Sequence, residues 1–82
     1  MTARLDREID THVARARVER LLHGARADLA AARSSLAHAQ RTYVAGLATG
    51  ADYHAAFLEI KSRIERLERA VTRYEARYRE LT

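Results

Sequence analysis

The sequence contains no cysteine, no proline and no tryptophan, and only three glycines among its 82 residues. The absence of cysteine excludes disulfide bonds, thiol catalysis and cysteine-ligated zinc within this segment. Because proline and glycine are the strongest breakers of regular structure, few interruptions of a helix are available. No stretch is long and apolar enough to cross a bilayer, and residues 1–10 carry acids without an apolar run. We therefore expect no membrane span and no secretory signal, and a soluble, cytoplasmic protein.

The residues that are present favour long helices with a solvated surface. Alanine, leucine, arginine and glutamate dominate, a mixture typical of coiled coils. Apolar side chains recur at alternating spacings of four and three residues in two separate runs. The first run is Val18, Leu22, Ala25, Leu29, Ala32, Leu36, Ala39 and Tyr43, and the second is Tyr53, Phe57, Ile60, Ile64, Leu67, Val71, Tyr74, Tyr78 and Leu81. A strict seven-residue repeat of this kind keeps one apolar seam facing a partner helix.

The segment between the two runs has the residues of a tight helix–helix turn. Gly46 can take the left-handed conformation that ends a helix, and Leu47 can then fold back onto the last turn. Thr49 is a good cap for the next helix, and Asp52, three residues later, makes a capping-box-like arrangement with it. The sequence therefore predicts a turn over residues 46–49, between a helix over about 15–45 and a helix over about 50–81.

Folding the chain about this turn brings the two runs into register. Tyr43 then opposes Tyr53, and an alanine opposes a larger residue in every second layer, so the helices can approach closely without voids. The predicted fold class is all-α, an antiparallel two-helix coiled-coil hairpin over residues 15–82. Exposed ion pairs between Arg26 and Glu68 and between Asp28 and Arg63 are expected to bridge the helices.

Two features suggest further association. Residues 1–14 have no partner in the second helix, and the apolar residues there, Leu5, Ile9 and Val13, do not continue the seam. They form either a frayed overhang or a separate helical segment that docks elsewhere. Several small or apolar residues of the first helix also lie outside the seam, namely Ala27, Ala30, Ala31, Ala37 and Val44. This Ala-rich face permits a second hairpin to pack closely, so we expect a homo-oligomer in which hairpins pair into a helical bundle.

No catalytic, cofactor-binding or metal-binding residues are predicted, because a two-helix rod has no pocket in which groups converge. The histidines at positions 12, 23, 38 and 54 are scattered and are expected at the surface. Two candidate binding features remain. One is an interaction tip made of Tyr43, Leu47 and Tyr53, and the other is a basic face. The basic face consists of Arg63, Arg66, Arg69, Arg73 and Arg77. Acids interrupt this band in the sequence, so local ion pairing is its default interpretation.

Residues before the hairpin, at its turn and along its second helix follow a recognisable order. They are Asp10, Val13, Val18, Arg20, Leu21, then Tyr43, Gly46, Thr49, Asp52, Tyr53, then Ile60, Arg63, Ile64 and Leu67. This order resembles the coiled-coil hairpin in the C-terminal zinc-binding domain of large serine recombinases, the phage-type serine integrases. The resemblance implies a hairpin that contacts its counterpart on another DNA-bound subunit and controls direction. The catalytic serine domain and the cysteine-rich zinc ribbon are missing, so it implies a fragment or stand-alone relative that does not itself recombine DNA.

The sequence thus leads to a non-enzymatic protein-interaction coiled coil that binds itself or a similar hairpin. The first alternative is a basic helical-hairpin dimer that binds nucleic acid weakly through its arginines, and the second is a small secreted helical hairpin. Salt separates the first two, since phosphate binding weakens steeply as salt rises.

Overall fold

The chain forms two long helices joined by a short turn. The computed structural model describes the backbone of residues 2–82 and the side chains of residues 7–82. Helix α1 spans Thr2–Val44 and helix α2 spans Gly50–Glu80, and residues 2–82 contain no strand. Contacts between Tyr43 and Tyr53 beside the turn, and between Arg26 and Glu75 farther away, show that the helices run antiparallel. The predicted all-α hairpin is confirmed, and it forms a rod of 68 × 14 × 13 Å.

The seam between the helices is where the heptad spacing predicts it. Its best-buried residues are in the middle of α1, where Leu22, Ala25, Leu29 and Ala32 are only 4–8% exposed. The seam residues of α2 are half-buried, and none of α2 is fully buried. The difference follows from side-chain size. The larger residues of α2 cover the small alanines of α1 and extend past them to solvent.

Helix α1 continues well beyond the end of α2. Its first turns are part of the same unbroken helix, so residues 2–14 continue the first arm of the hairpin. Leu81 and Thr82 line a shallow groove with Thr11 and Arg15, which marks the end of helix pairing. Ile9 and Val13 are 53% and 48% exposed, whereas the side chain of Leu5 lies outside the described residues.

Helix α1 ends in a Schellman motif at Gly46. The N–H of Leu47 donates to the carbonyl of Thr42 at 3.0 Å, and the N–H of Gly46 donates to the carbonyl of Tyr43 at 3.0 Å. Gly46 has a φ of 75°, the left-handed conformation that the sequence predicts. The expected packing of the Leu47 side chain onto the last turn is wrong, because this side chain is 80% exposed. The backbone of residue 47 folds back while its side chain points to solvent.

Helix α2 begins with half of a capping box. The Thr49 hydroxyl accepts a hydrogen bond from the N–H of Asp52 at 3.1 Å, and the Thr49 carbonyl accepts one from Tyr53 at 2.9 Å. Within residues 7–82, the Asp52 carboxylate makes no hydrogen bond back to Thr49. Asp is one methylene shorter than the Glu that usually closes this box. Its negative charge in the first turn still favours the positive end of the helix dipole.

The ion pairs that bridge the helices differ from those expected. Arg26 pairs with Glu75 at 3.1 Å, and Arg33 pairs with Glu68 at 3.6 Å. The predicted pair of Arg26 with Glu68 is wrong, because Glu68 lies two turns nearer the tip than the residue facing Arg26. The second expected pair, Asp28 with Arg63, is not formed among the side chains of residues 7–82. Both observed pairs are largely exposed, so each contributes about 0–1 kcal/mol.

Candidate functional site

The tip of the hairpin is built on a pair of stacked tyrosines. The rings of Tyr43 and Tyr53 lie 4.7 Å apart between centroids with an interplanar angle of 16°. Behind them, Phe57 lies 6.1 Å from Tyr53 in a tilted arrangement. Tyr53 is half-buried, whereas Tyr43 is 44% exposed. Tyr53 therefore supports the tip from inside, and Tyr43 forms part of its outer surface.

Two aliphatic side chains complete an exposed apolar surface at the tip. Val44 is 84% exposed and is the last residue of α1, and Leu47 is 80% exposed and lies in the turn, directly after Gly46. We call Tyr43, Val44 and Leu47 the tip surface. The sequence-based candidates included Tyr43 and Leu47 but missed Val44 as a tip residue. The sign that could have identified it was its place outside the heptad seam, one residue from the predicted end of the helix.

The basic face lies on the side of α2 that points away from α1. All five arginines are exposed. At about 100° per residue, Arg63, Arg66, Arg69, Arg73 and Arg77 fall within an arc of roughly 120°. The acids between them in sequence fall outside this arc: Glu68 and Glu75 are on the opposite side of the helix, and Glu65 lies beside the edge of the arc. The helical rotation thus separates charges that alternate along the chain.

The expected local ion pairing of this basic face is largely absent. Glu68 and Glu75 reach across to α1, where they pair with Arg33 and Arg26. Arg77 pairs with Glu80 at 3.1 Å. The four remaining arginines form no ion pair with any side chain of residues 7–82, and these are Arg63, Arg66, Arg69 and Arg73.

A second apolar stripe runs along α1 on the side away from α2. Its members follow the same alternation of four and three residues as the seam, and we call them the outer stripe. They are Ile9, Val13, Ala16, Ala27, Ala30, Ala37 and Val44. Polar residues, among them Arg20 and His23, occupy the intervening positions. Because α1 is one unbroken helix, Ile9 and Val13 are in phase with this stripe, which explains why they do not continue the seam.

The histidines and the tyrosines of the open end lie either at the surface or in the seam. His12, His23, His38 and His54 are all exposed, and Tyr74 and Tyr78 are half-buried in the seam. Within residues 7–82 no group of three or more histidine, aspartate or glutamate side chains is arranged to hold a metal ion. Neither α1 nor α2, over the part that the structure describes, combines the length and hydropathy of a membrane span.

Comparison of this chain with protein-family models, with curated proteins and with solved structures found no significant match.

Proposed function

We propose that this chain is a non-enzymatic protein-interaction module whose tip surface contacts a similar coiled-coil hairpin. The observation that carries the proposal is the exposure of Val44, at the end of α1, and of Leu47, within the hydrogen-bonded turn, at 84% and 80%. Exposed apolar residues grouped in one place are typical of a binding surface, whereas single exposed apolar residues are ordinary.

The turn gives the tip surface a fixed shape before any partner arrives. Gly46, the Thr49 cap and the stack of Tyr43 on Tyr53 hold the backbone on both sides of Leu47. A preorganised surface loses little conformational entropy when it binds, so more of the apolar contact contributes to affinity. Aromatic and aliphatic anchors at the centre of a small interface commonly supply most of its binding energy.

The resemblance to the serine-integrase hairpin supplies the class of partner. In that family the hairpin is understood to contact its counterpart on another DNA-bound subunit, and the turn residues Tyr43, Gly46, Thr49 and Asp52 are among those that carry the resemblance. The partner we propose is therefore a hairpin of this kind, or a second copy of this chain. Its contact with the tip surface would affect synapsis or the direction of recombination.

The substitution Leu47→Asp tests the proposal, because it places a charge at the centre of the tip surface and leaves the buried seam intact. We expect it to weaken binding to a serine-integrase hairpin by about 2 kcal/mol or more, roughly 30-fold, in a calorimetric titration. The matched control is Leu58→Asp, since Leu58 is also exposed, at 53%, but lies on α2 away from the turn. An equal loss of binding for both variants would contradict a role for the tip.

A functional assay tests the family assignment separately. The purified hairpin, added to an integrase recombination reaction with cognate sites, is expected to compete with contacts between subunits and to change synapsis or direction. The Leu47→Asp variant is expected to have no such effect. If both proteins leave recombination unchanged and neither binds an integrase, the recombinase resemblance should be abandoned.

A further inference from the structure

The basic face of α2 carries charge of one sign, although arginines and acids alternate along the sequence. Its residues are Arg63, Arg66, Arg69, Arg73 and Arg77. Between Arg63 and Arg77, Ala70 lies within the arc of the arginines, and Ala76 lies just outside it. No acid lies within the strip itself. Glu59 and Glu80 lie only at its two ends, and Glu65 lies on its flank. The result is a straight row of five positive charges on a molecule whose net charge is +4.

These guanidinium groups are largely available to a ligand. Every arginine of the basic face is exposed, and only Arg77 has a carboxylate partner, Glu80. Glu68 and Glu75 are held by Arg33 and Arg26 on the other helix. Glu65 lies four residues before Arg69, but among the side chains of residues 7–82 the two form no ion pair. An incoming anion therefore does not have to break existing ion pairs at Arg63, Arg66, Arg69 or Arg73.

We propose that the basic face binds the phosphate backbone of a nucleic-acid duplex. The row from Arg63 to Arg77 is about 21 Å long at 1.5 Å per residue. This length corresponds to about six phosphates along one strand, at 3.4 Å of rise for each. Arginine presents several N–H donors in a planar fork that matches the oxygens of a phosphate.

The composition of the basic face favours nucleic acid over a protein partner or a membrane surface. A protein interface is enriched in aromatic and large apolar anchors at its centre, and beside the arginines of the basic face lie only the small residues Ala70 and Ala76. A membrane-surface helix needs a large apolar side to insert beside its basic residues. The apolar side of α2 is already packed against α1. A ligand that requires many charges and no apolar contact is the phosphate backbone.

The salt dependence of binding to a fluorescent DNA duplex of mixed sequence tests this proposal. If the five arginines neutralise about five phosphates, the logarithm of the association constant should fall against the logarithm of salt concentration with a slope of about −4.5. Replacing Arg66, Arg69 and Arg73 with glutamine should bring the slope to about −2, since each lost phosphate contact removes about one unit. Gln and Arg have similar helix propensities, so the variant should keep its helical circular dichroism.

A matched triple substitution of exposed arginines on α1 provides the control. Arg17→Gln, Arg20→Gln and Arg41→Gln change the net charge by the same amount without touching the basic face. This control should retain the slope of the unmodified chain, and polyglutamate should not displace the duplex at equal charge concentration.

The proposal is overturned if the unmodified chain does not bind the duplex, if both triple variants lose affinity equally, or if polyglutamate competes effectively. The tip variant Leu47→Asp should bind duplex normally, so failure here is distinguishable from failure of the proposed tip contact.

Discussion

The two glycines at the turn, Gly46 and Gly50, have different backbone conformations. Gly46 has a φ of 75°, which side chains with a Cβ rarely adopt, whereas Gly50 is the first residue of α2 and does not have positive φ. A Cβ built on Gly50 would lie 3.9 Å from the Tyr43 ring, which is an ordinary van der Waals contact. Two residues of the same type, four positions apart, are therefore expected to respond differently to substitution.

We expect Gly46→Val to lower the free energy of unfolding by about 1–3 kcal/mol, because a β-branched residue is strained at positive φ. By contrast, Gly50→Ala should be neutral or should stabilise the hairpin by up to about 1 kcal/mol, because alanine is the better helix former. Thermal unfolding followed by circular dichroism measures both. If the Gly50→Ala protein melted at the lower temperature, the positions of the helix ends would be wrong.

At the level of the helices, stability depends on the small residues at alternate layers of the seam. Ala32 is 4% exposed and lies in the layer predicted to contain Ile64, whereas Ala27 lies in the outer stripe and is exposed. Replacing each of these two alanines of α1 with leucine therefore distinguishes the effect of packing in the seam from the effect of helix propensity.

We expect Ala32→Leu to destabilise the hairpin by about 1–3 kcal/mol, because the added atoms force the helices apart. The substitution Ala27→Leu should change the stability of the hairpin by less than about 0.5 kcal/mol, because leucine is nearly as good a helix former as alanine and has open space there. Urea unfolding at low protein concentration gives both values. Equal effects at both alanines would show that the seam is not where we describe it.

The amino-acid sequence was sufficient to predict the seam, the turn and helix α2, whereas α1 begins at Thr2 and not near residue 15. Each of these depends on local geometry or on a strict repeat, such as the left-handed glycine at 46 and the cap at Thr49. The basic face was predicted, but its residues were expected to form local ion pairs, and the partners of the ion pairs between the helices were not predicted. Arg26 reaches Glu75 because of the antiparallel register, and Arg66 is separated from Glu68 by the rotation of the helix. Neither relation is visible when charges are read in linear order.

The molecule as a whole has a larger solvent-accessible surface than a compact protein of the same mass. Its accessible area is 6431 Å², whereas a compact monomer of the same mass exposes about 5,000 Å². The excess of about 1,400 Å² is larger than the roughly 800 Å² that each partner buries in a standard interface. Three of the exposed large apolar residues, Ile9, Val13 and Val44, lie on the outer stripe of α1. The rod therefore has both the area and the apolar residues for self-association.

We expect the chain to form a dimer or a higher oligomer at micromolar concentration through the outer stripe. The substitution Val13→Glu should shift this equilibrium toward monomer, because it places a charge on the stripe in the part of α1 that projects beyond α2. The control Leu58→Glu puts the same charge at an exposed position of α2. Multi-angle light scattering measures the mass, and a strict monomer at high concentration would rule out the self-association that we expect.

The most direct test of the proposed interaction is to map the contact surface on the chain itself. Backbone amide chemical shifts of the isotopically labelled protein should be recorded while an unlabelled serine-integrase hairpin is added. We predict that the largest changes will lie around the tip surface, at Tyr43, Val44 and Leu47, and that the Leu47→Asp protein will show none at the same concentrations. Changes confined to the middle of the rod, or no change at any concentration, would contradict the claim that the tip is the recognition surface.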